Sequence, residues 1–325
     1  MNVAMNVVFI GGGNMADALI GGLLKSGIEA NQIRAVEVDG AARRRLSDKY
    51  RIECAAVARG TIRAGEVVVF AVKPQQMKEA ARFCGLKDNG ENASLVISIA
   101  AGITLASLSR WLGGTTRIIR AMPNTPALIG EGITGLYAPP GYAESDMRQA
   151  ETILGAVGAT VRVEDEDKIN AVTAVSGSGP AYVFYFIEAC EEAAKQLGLP
   201  EAVARKLALQ TFSGAVKLAA SNADPVDVLR ARVTSKGGTT EAALASMGAD
   251  QVKEAISEMK RYKTVALLDL RKLPDALFQN LRKKMRQDGG KVFVLKKPVV
   301  SRVLASNKKL AEKVSACNNP VALIF

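Results

Sequence analysis

Short apolar runs alternate with mixed, helix-like stretches along the first half of the chain. The runs are rich in β-branched residues, which is typical of strands buried on both faces of a parallel sheet. Strands are predicted at Val7 to Ile10, Ile33 to Val38, Glu66 to Val72, Ser94 to Ala100, Thr116 to Ala121, Gly132 to Tyr137 and Ala159 to Val163. This alternation predicts an α/β fold with a Rossmann-type, doubly wound parallel sheet, in which ligands bind at the carboxyl ends of the strands.

The pattern becomes almost wholly helical from about residue 166. A helix is predicted behind Pro180, and its apolar character on nearly every side from Tyr182 to Ile187 indicates burial between subunits or deep in a bundle. We interpret its aromatic residues as core residues rather than as a ligand site. A second helix is predicted from about Glu201 to Ala220, and a third after Gly238.

The last part of the chain returns to strand and helix patterns. Strands are predicted at Thr264 to Leu270, Lys291 to Lys296 and Val321 to Phe325, with helices at Pro274 to Gln287 and Val299 to Ser315. This is the βαβαβ order of the first half again, and the terminal strand is expected to be a bare edge. One continuous helix is predicted from about Asp250 to Lys263, because an apolar stripe at helical spacing continues there without proline or glycine.

Composition narrows the class of protein. The 325 residues are 48% hydrophobic and 23% charged, which is typical of a globular protein with two or three domains. No apolar run reaches the length of a membrane-spanning helix, and no signal-peptide pattern precedes the first strand. The four cysteines lie far apart and form no metal-type or redox pair: Cys54, Cys84, Cys190 and Cys317. We therefore expect reduced thiols in a cytoplasmic protein.

The chain contains no histidine. This excludes Ser–His and Cys–His nucleophile pairs and histidine-containing zinc sites, and we expect no metal site. The reaction must therefore depend little on acid–base or nucleophilic catalysis by side chains. Hydride transfer is such a chemistry, because the cofactor carries the difficult step.

The net charge of +11 is concentrated at the end of the chain. Residues 260–325 contain 16 Lys and Arg against 4 Asp and Glu, a net charge of +12, whereas residues 1–259 contain 27 against 28. This asymmetry predicts a polyanionic partner for the tail and none for the rest of the chain.

A glycine-rich loop, Gly11 to Ala16, lies between the first predicted strand and a helical pattern. It matches the G-x-G-x-x-A fingerprint in the setting that the fingerprint requires. Gly11 allows a tight turn, Gly13 allows a pyrophosphate to approach the backbone, and Ala16 lets the helix pack closely on the strand. The loop therefore predicts dinucleotide binding.

The second predicted strand ends in Glu37-Val38-Asp39 and is followed by Arg43-Arg44-Arg45. An acid at this position accepts hydrogen bonds from the adenosine ribose and disfavours a 2′-phosphate, whereas an arginine could pair with that phosphate. We interpret the arginines as a solvated helix face and expect NADH to be preferred over NADPH. Whether Glu37 or Asp39 faces the ribose stays open. Lys73, after the third predicted strand, is either a cofactor neighbour or an ordinary loop lysine.

Two later loops have the composition of ligand sites. Ser176 to Tyr182 places Pro180 in the first turn of a helix, and such a helix start suits a carboxylate; the alternative is an ordinary tight strand-to-helix turn. In Ser235 to Thr240, hydroxyls and free N–H groups converge where a loop becomes a helix. The alternative for that loop is ordinary capping by Thr239 or Thr240.

Six segments of the chain, taken in order, resemble the pyrroline-5-carboxylate reductase family: GGGNMA, AVKPQ, SIAAGIT, IRAMPNTPALIGEGITGLY, VSGSGPAYVF and TSKGGTTEAAL. The resemblance covers about residues 5–258. It implies reduction of a cyclic imine to L-proline by NADPH or NADH, the last step of proline synthesis. It also implies a dinucleotide-binding domain at 1–164 and a helical dimerisation and substrate domain at 165–258. Members form homodimers, often within larger rings, with the active site at the dimer interface.

The same resemblance implies the roles of individual residues. The expected cofactor-binding residues are Gly11, Gly13, Asn14, Met15, Glu37, Asp39, Ala71, Lys73, Pro74 and Asn124. Ser235, with the N–H groups of Gly238 and Thr239, is expected to bind the substrate carboxylate, and Ser176 is expected to contribute to substrate binding. Thr240 is expected to hydrogen-bond the ring nitrogen. Because solvent can protonate a cyclic imine, alignment and charge neutralisation suffice, and histidine is not needed.

The basic tail resembles a different family. KRYKTVALLDLRKLPDALFQNLRKKM, VLKKPVVSRVLA and NNPVALIF are similar to the N-terminal part of the archaeal ribosomal stalk-base protein. That family binds large-subunit rRNA and carries the acidic stalk proteins. Residues 259–325 are therefore predicted to be a small basic α/β fragment, fused naturally or by construction. A lysine-rich solubilising extension is the alternative, and VALLDL and VALIF are too apolar for it.

Two other functions stay open. One is a ribosome-associated RNA-binding protein whose reductase half is inactive. The other is a related 3-hydroxy-acid dehydrogenase, which would need Lys195 or Lys236 as its catalytic lysine. For the reductase, we expect that deleting residues 264–325 leaves activity largely intact.

Overall fold

The computed structural model describes residues 5–86, 93–114 and 117–253, together with the backbone of strands at 266–269, 292–295 and 321–324. The chain divides into two compact units, Met1–Ser235 and Lys236–Phe325. Within the described ranges, no helix has both the length and the apolar composition needed to span a membrane.

The first unit contains an eight-stranded sheet in the order β3-β2-β1-β4-β5-β6-β7-β8. Its strands are β1 (Val7–Ile10), β2 (Ile33–Val36), β3 (Glu53–Ala55), β4 (Val67–Phe70), β5 (Leu95–Ser98), β6 (Ile118–Met122), β7 (Gly132–Tyr137) and β8 (Gly158–Arg162). Neighbouring strands of this sheet run parallel, apart from β6 and β7, where Arg120 lies opposite Tyr137 in an antiparallel pair. The doubly wound sheet predicted from the apolar runs is confirmed.

The sequence pattern did not reveal β3. Glu53–Ala55 is short and half exposed, so it has no apolar run that could mark it as a strand. It forms because it pairs in parallel with the edge of β2, with Arg34 opposite Glu53. A strand that depends on its neighbour's hydrogen bonds in this way has little local signature.

Helices cover both faces of the sheet. They are α1 (Asn14–Lys25), α2 (Gly40–Tyr50), α3 (Pro74–Phe83), α4 (Leu105–Trp111) and α5 (Glu144–Gly155). Because side chains alternate along a strand, β1 directs Val7 and Phe9 into one core and Val8 and Ile10 into the other. The first core is completed by α1, α2 and α5, and the second by α3 and α4. The carboxyl ends of the strands are thereby fixed as a rigid edge.

The rest of the first unit is helical. It consists of α6 (Lys168–Val172), a π-helical turn (Thr173–Gly177), α7 (Gly179–Gln196), α8 (Glu201–Ser221) and α9 (Val226–Arg232). The helices predicted behind Pro180 and from Glu201 are confirmed. Helices α7 and α8 pack against each other along part of their length.

The outer face of α7 is not buried by its own chain. No residue of this helix is buried by the described part of the chain, and Phe184 and Tyr185 are 64% and 61% exposed. The described residues of this chain do not bury these aromatic side chains. Their interpretation as core residues, buried between subunits or deep in a bundle, therefore stays a prediction.

The second unit begins with α10 (Thr239–Ala249), the helix predicted after Gly238. Gln251 then has a left-handed φ of 54°, and helical backbone resumes at Val252. The predicted helix from Asp250 to Lys263 therefore starts slightly later than expected. Its continuation beyond residue 253 lies outside the described residues.

Three strands of the tail form a second sheet. They are β9 (Ala266–Asp269), β10 (Val292–Leu295) and β11 (Val321–Ile324), each within a predicted strand. The order is β10-β11-β9 with antiparallel pairing on both sides of β11. The expectation that the terminal strand is a bare edge is wrong, since both of its sides are hydrogen-bonded. The two helices predicted in the tail lie outside the described residues.

Candidate functional site

A cleft of about 500 Å³ lies at the carboxyl ends of β1, β2 and β4. This is the edge at which a doubly wound sheet binds its ligand. The cleft is lined by Ile10, Gly11, Gly12, Gly13, Val36, Glu37, Val38, Ala56, Val57, Ala58, Ala71, Val72, Lys73, Gln76, Glu79, Ala80 and Phe83. The glycine-rich loop forms its floor.

Each glycine of this loop meets a different steric demand. Gly11 has a φ of 101°, and a Cβ there would lie 2.8 Å from the carbonyl oxygen of Ala71, so the tight turn admits only glycine. A Cβ on Gly12 would lie 2.8 Å from Leu46 Cδ1. A Cβ on Gly13 would meet nothing within 4 Å. The protein itself therefore does not require glycine at position 13, whereas a ligand approaching the backbone from the cleft would.

The N-terminus of α1 opens from this loop. Gly13 is the N-cap residue, and no side chain caps the helix. The N–H groups of the first turn, at Asn14 and Met15, have no partner within the helix by its geometry. An uncapped helix start next to a glycine loop is suited to an anion such as a pyrophosphate. Gly11 and Gly13 of the predicted fingerprint line the cleft at this helix start.

Only one of the two candidate ribose acids lines the cleft. Glu37 Oε2 accepts a hydrogen bond from the N–H of Gly12 at 2.6 Å, and its Oε1 accepts one from the N–H of Asp39 at 2.9 Å. Asp39 Oδ1 instead accepts from the N–H of Ala42 at 2.7 Å and caps α2. Because Asp39 caps α2 and Glu37 lines the cleft, we expect Glu37 to be the acid that faces the ribose.

Two of the three arginines after β2 are used to fix the backbone. Arg43 Nη1 donates to the carbonyl oxygens of Glu37 and Val38 at 2.8 and 3.1 Å. Arg45 Nη2 donates to the carbonyl oxygen of Gly12 at 3.0 Å. The interpretation of all three as a solvated helix face is therefore too simple. Arg43 and Arg45 tie the end of β2 and the glycine loop to α2.

The opposite wall of the cleft comes from β4 and α3. Ala71 and Lys73 line it, Lys73 is the N-cap residue of α3, and Pro74 occupies the first position of that helix. Lys73 is exposed. Ala71 and Lys73 therefore line the cleft, and Pro74 follows them as the first residue of α3.

Sequence reasoning missed the apolar part of this wall. Val57 and Phe83 are 65% and 68% exposed although both line the cleft, and Gln76 and Ala80 of α3 lie beside them. Gln76, Ala80 and Phe83 follow the i, i+4, i+7 spacing of one helix face. An amphipathic helix that ends in an exposed phenylalanine was the available signal. Val57 carried none, because it belongs to an irregular segment.

Ser176 lies in the π-helical turn between α6 and α7, not in a strand-to-helix turn. The Ser178 N–H donates to the carbonyl oxygen of Thr173 at 2.8 Å, five residues back, so helical backbone continues through the segment. Ser176 Oγ donates to the carbonyl oxygen of Val172 at 2.9 Å. Helix α7 begins at Gly179 with Pro180 in its first turn, as predicted. The segment before it is a π turn and not a strand, so the alternative of an ordinary strand-to-helix turn is wrong.

Asn124 lies beside this turn rather than in the cleft lining. Its Nδ2 donates to the carbonyl oxygen of Ser176 at 3.2 Å, and its Oδ1 accepts from the N–H of Ile133 at 2.9 Å. The structure thus brings together two expected site residues, Asn124 and Ser176, that are 52 positions apart.

The loop at Ser235–Thr240 has the form of an open helix start. Gly238 is the N-cap of α10, and no side chain caps that helix. The alternative of capping by Thr239 or Thr240 is therefore wrong. The Gly237 N–H donates to Glu241 Oε2 at 2.7 Å, and Gly237 has a φ of 71°. Ser235 and Thr239 are exposed, while Thr240 is half-buried.

Comparison with known proteins decides the family. The chain is 42% identical over 252 residues to pyrroline-5-carboxylate reductase of Pseudomonas aeruginosa, covering 78% of this chain and 92% of that protein. It is 43% identical over 253 residues to the reductase of Haemophilus influenzae, with the same two coverages of 78% and 92%. The chain belongs to the pyrroline-5-carboxylate reductase family. Residues 166–264 match the model described as pyrroline-5-carboxylate reductase dimerisation. Residues 6–102 match the model described as NADP oxidoreductase, coenzyme F420-dependent.

Solved structures agree with membership of the reductase family. A pyrroline-5-carboxylate reductase from Coxiella burnetii superposes with a TM-score of 0.71 at 39% identity, covering 79% of this chain and 95% of that one. The Plasmodium falciparum pyrroline carboxylate reductase, solved with NADP bound, gives a TM-score of 0.69 at 26% identity, with coverages of 79% and 94%. The tail is different, because residues 249–325 match the model of ribosomal protein L10.

Proposed function

We propose that this protein reduces 1-pyrroline-5-carboxylate to L-proline with NADH or NADPH, the last step of proline biosynthesis. The observation that carries the proposal is an open glycine-loop cleft in a chain of the pyrroline-5-carboxylate reductase family. The reaction adds a hydride to the imine carbon and a proton to the ring nitrogen. It needs no histidine, which this chain lacks.

The residues present fit a nicotinamide dinucleotide. Open space above Gly13 and the uncapped start of α1 suit the pyrophosphate, which Gly11, Asn14 and Met15 would also hold. Glu37 would accept hydrogen bonds from the adenosine ribose. Val57 and Phe83 offer apolar surface for a planar base, and Ala71, Lys73 and Pro74 border the opposite side. When bound, the reduced cofactor supplies the hydride.

The substrate would be held by the second glycine loop. Ser235 and the N–H groups of Gly238 and Thr239 would bind the carboxylate, as an uncapped helix start favours an anion. Thr240 would place its hydroxyl against the ring nitrogen, and Ser176 would contribute from the π turn. Aligning the imine with the nicotinamide and neutralising its carboxylate would lower the barrier to hydride transfer, and no protein side chain would need to transfer a proton.

The exposed apolar face of α7 supports a homodimer, and a larger ring could be built from such dimers. Phe184, Tyr185 and the half-exposed Val183 form this face, and it falls within the segment that matches the dimerisation model. Aromatic residues left in solvent by one chain are suited to burial by a second. We place the domain boundaries at 1–164, 165–258 and 259–325. Cys54, Cys84 and Cys190 are free thiols, which suits the cytoplasm.

We propose that the tail has a second function, which is to bind RNA. Its match to ribosomal protein L10 and its net charge of +12 over residues 260–325 favour contact with rRNA. Filter binding of a large-subunit rRNA fragment to the full chain should weaken steeply between low and high salt, because each neutralised phosphate releases counterions. Absence of binding at low salt would overturn this function and leave the reductase proposal untouched.

A single comparison of substrates tests the main proposal. The purified protein should oxidise NADH or NADPH with 1-pyrroline-5-carboxylate and should not reduce NAD or NADP with 3-hydroxy acids. Of the two lysines that the dehydrogenase alternative could use, Lys195 is disfavoured, because it is exposed and ion-paired with Glu192, which raises the pKa of its ammonium group. Turnover of a 3-hydroxy acid with no imine reduction would overturn the proposal. No turnover of either, with RNA binding retained, would favour the ribosome-associated alternative.

A further inference from the structure

The side-chain amide of Asn124 joins three segments of the first unit. Asn124 follows β6, its Oδ1 accepts from the N–H of Ile133 in β7, and its Nδ2 donates to the carbonyl oxygen of Ser176. The residue is only 9% exposed, so both ends of the amide are used inside the protein. Losing either bond would leave a buried polar group unpaired. The amide therefore acts between protein segments rather than on a ligand in the cleft.

The segment that Asn124 holds is the π turn. Its five-residue hydrogen bond, from the Ser178 N–H to the carbonyl oxygen of Thr173, takes the chain out of the α-helical register just before α7. Single π turns within helices are rare and occur often at functional sites. Such unusual backbone persists only when its surroundings fix it. The bond from Asn124 to the Ser176 carbonyl is one such external constraint.

Two further contacts from β6 fix the same segment. A Cβ on Gly177 would lie 2.6 Å from Met122 Cε, so the turn lies directly against the side chain at the end of β6. Arg120 Nη1 donates to Glu166 Oε1 at 2.9 Å, just ahead of α6. Arg120, Met122 and Asn124 alternate along one extended stretch, so they share one face of it. This face holds the chain from Glu166 to Gly177.

The position of β6 in the sheet relates the hydrogen bond between Asn124 and Ser176 to the proposed reaction. Glu37, at the end of β2, marks the adenosine side of the glycine loop, and β4, β5 and β6 follow on the other side. In a doubly wound sheet the second half of a dinucleotide lies on that other side. The π turn is thus fastened to the half of the sheet edge where the imine must meet the cofactor.

We propose that Asn124 is a positioning residue of the reductase. Through the carbonyl of Ser176 it sets the place of the π turn at the substrate end of the site, and it does not contact the dinucleotide. This inference rests on the proposed reductase function. It requires that weakening the hydrogen bond from Asn124 to the Ser176 carbonyl changes kcat/KM for the imine, while the affinity for the dinucleotide stays the same.

The substitution Asn124→Asp separates the two hydrogen bonds. An aspartate keeps an oxygen for the Ile133 N–H but loses the donor, and it turns a carboxylate oxygen towards the Ser176 carbonyl. The matched control is Thr173→Val, which removes a hydroxyl that donates to the Ile169 carbonyl within the same helical segment. Both full-length variants and the wild type are assayed for imine reduction, dinucleotide affinity by fluorescence, and thermal unfolding.

For Asn124→Asp we expect kcat/KM for the imine to fall about tenfold, with the dissociation constant of the dinucleotide within about twofold of wild type. Thr173→Val should behave as wild type. If Asn124→Asp does not fold, Met122→Ala tests the same geometry, because it removes the β6 side chain against which the turn lies. The same selective loss of imine turnover is expected there.

Unchanged kcat/KM in both folded variants would overturn the positioning role. A parallel weakening of dinucleotide binding in Asn124→Asp would overturn it in favour of a direct cofactor contact. A wild-type protein that fails to reduce the imine is a separate result, since it would overturn the proposed function itself.

Discussion

The carboxylate of Glu37 accepts a hydrogen bond from the backbone N–H of Gly12 at 2.6 Å, across 25 residues of sequence. This bond joins the acid at the end of β2 to the glycine loop that forms the floor of the cleft. In the proposed complex, Glu37 would place a negative charge beside the adenosine ribose, where NADPH would bring a 2′-phosphate. The relationship therefore bears directly on the choice between NADH and NADPH.

We expect the wild type to prefer NADH, and Glu37→Gln to reduce that preference. Glutamine keeps an oxygen for the Gly12 N–H but removes the charge that repels a phosphate. The ratio of kcat/KM for NADPH to that for NADH should rise about tenfold, equivalent to about 1.4 kcal/mol. Asp39→Asn is the comparison, because it keeps an oxygen for the cap of α2 outside the cleft and should leave the ratio unchanged. A clear wild-type preference for NADPH would contradict the proposal.

Substitution of Gly13 should affect dinucleotide binding, whereas substitution of Gly11 should affect the stability of the fold. Gly13→Val should fold normally and lose dinucleotide binding, because its side chain enters open space that the pyrophosphate needs. Gly11→Ala should instead destabilise the fold by about 2 kcal/mol or more, because of its positive φ and its contact with the Ala71 carbonyl. Thermal unfolding and dinucleotide titration distinguish the two effects. Normal dinucleotide affinity in Gly13→Val would show that the fingerprint is only a turn.

Thr240→Ala should lower kcat for imine reduction by about 10–100-fold with little change in dinucleotide affinity, because the proposed contact to the ring nitrogen would be lost. Steady-state kinetics with saturating cofactor measure the effect. Ser246→Ala is the matched control, since Ser246 is exposed on the same helix, α10. Unchanged turnover in Thr240→Ala would remove this hydroxyl from the mechanism.

Truncation after Thr264 should leave reductase activity largely intact. The segment that matches the dimerisation model ends at residue 264, so the shortened chain keeps all of it. The truncated protein should remain dimeric by light scattering and should lose salt-dependent RNA binding. A dimeric but inactive truncation product would mean that the tail contributes to the reductase.

Arg162 should make stability depend on pH through two carboxylates. It forms a bidentate pair with Glu144, at 2.8 and 2.9 Å, and a second pair with Glu151, at 2.6 and 2.8 Å. These hydrogen bonds lower the pKa values of both glutamates. Because the folded pKa values lie below the unfolded ones, the stabilisation is present above about pH 4.3 and is lost as the pH falls through the folded values.

The substitution Arg162→Gln should therefore lower the unfolding temperature by a few degrees at about pH 7 and by less at about pH 3. Arg148→Gln is the control, because Arg148 approaches Glu144 only at 3.6 Å and should have a smaller effect. An equal loss at both pH values would show that packing of the arginine, and not its charge, stabilises this region.

The sequence by itself determined those features that depend only on residues close together along the chain. The apolar runs marked the strands of the parallel sheet, and the spacing of Gly11, Gly13 and Ala16 marked the dinucleotide loop. Pairing between β9, β10 and β11 could not be deduced in this way. A strand signals its own existence through its side chains, but its partners and direction are set by hydrogen bonds to distant segments.

The tertiary structure alone decided which polar groups are free to meet a ligand. Glu37 and Asp39 are equivalent in the sequence, yet one lines the cleft and the other caps α2. Asn124 and Ser176 carry no shared signal, and only folding places the amide of one against the carbonyl of the other. The physical reason is that every buried donor and acceptor needs a partner, and those partners are chosen by contacts that sequence spacing does not contain.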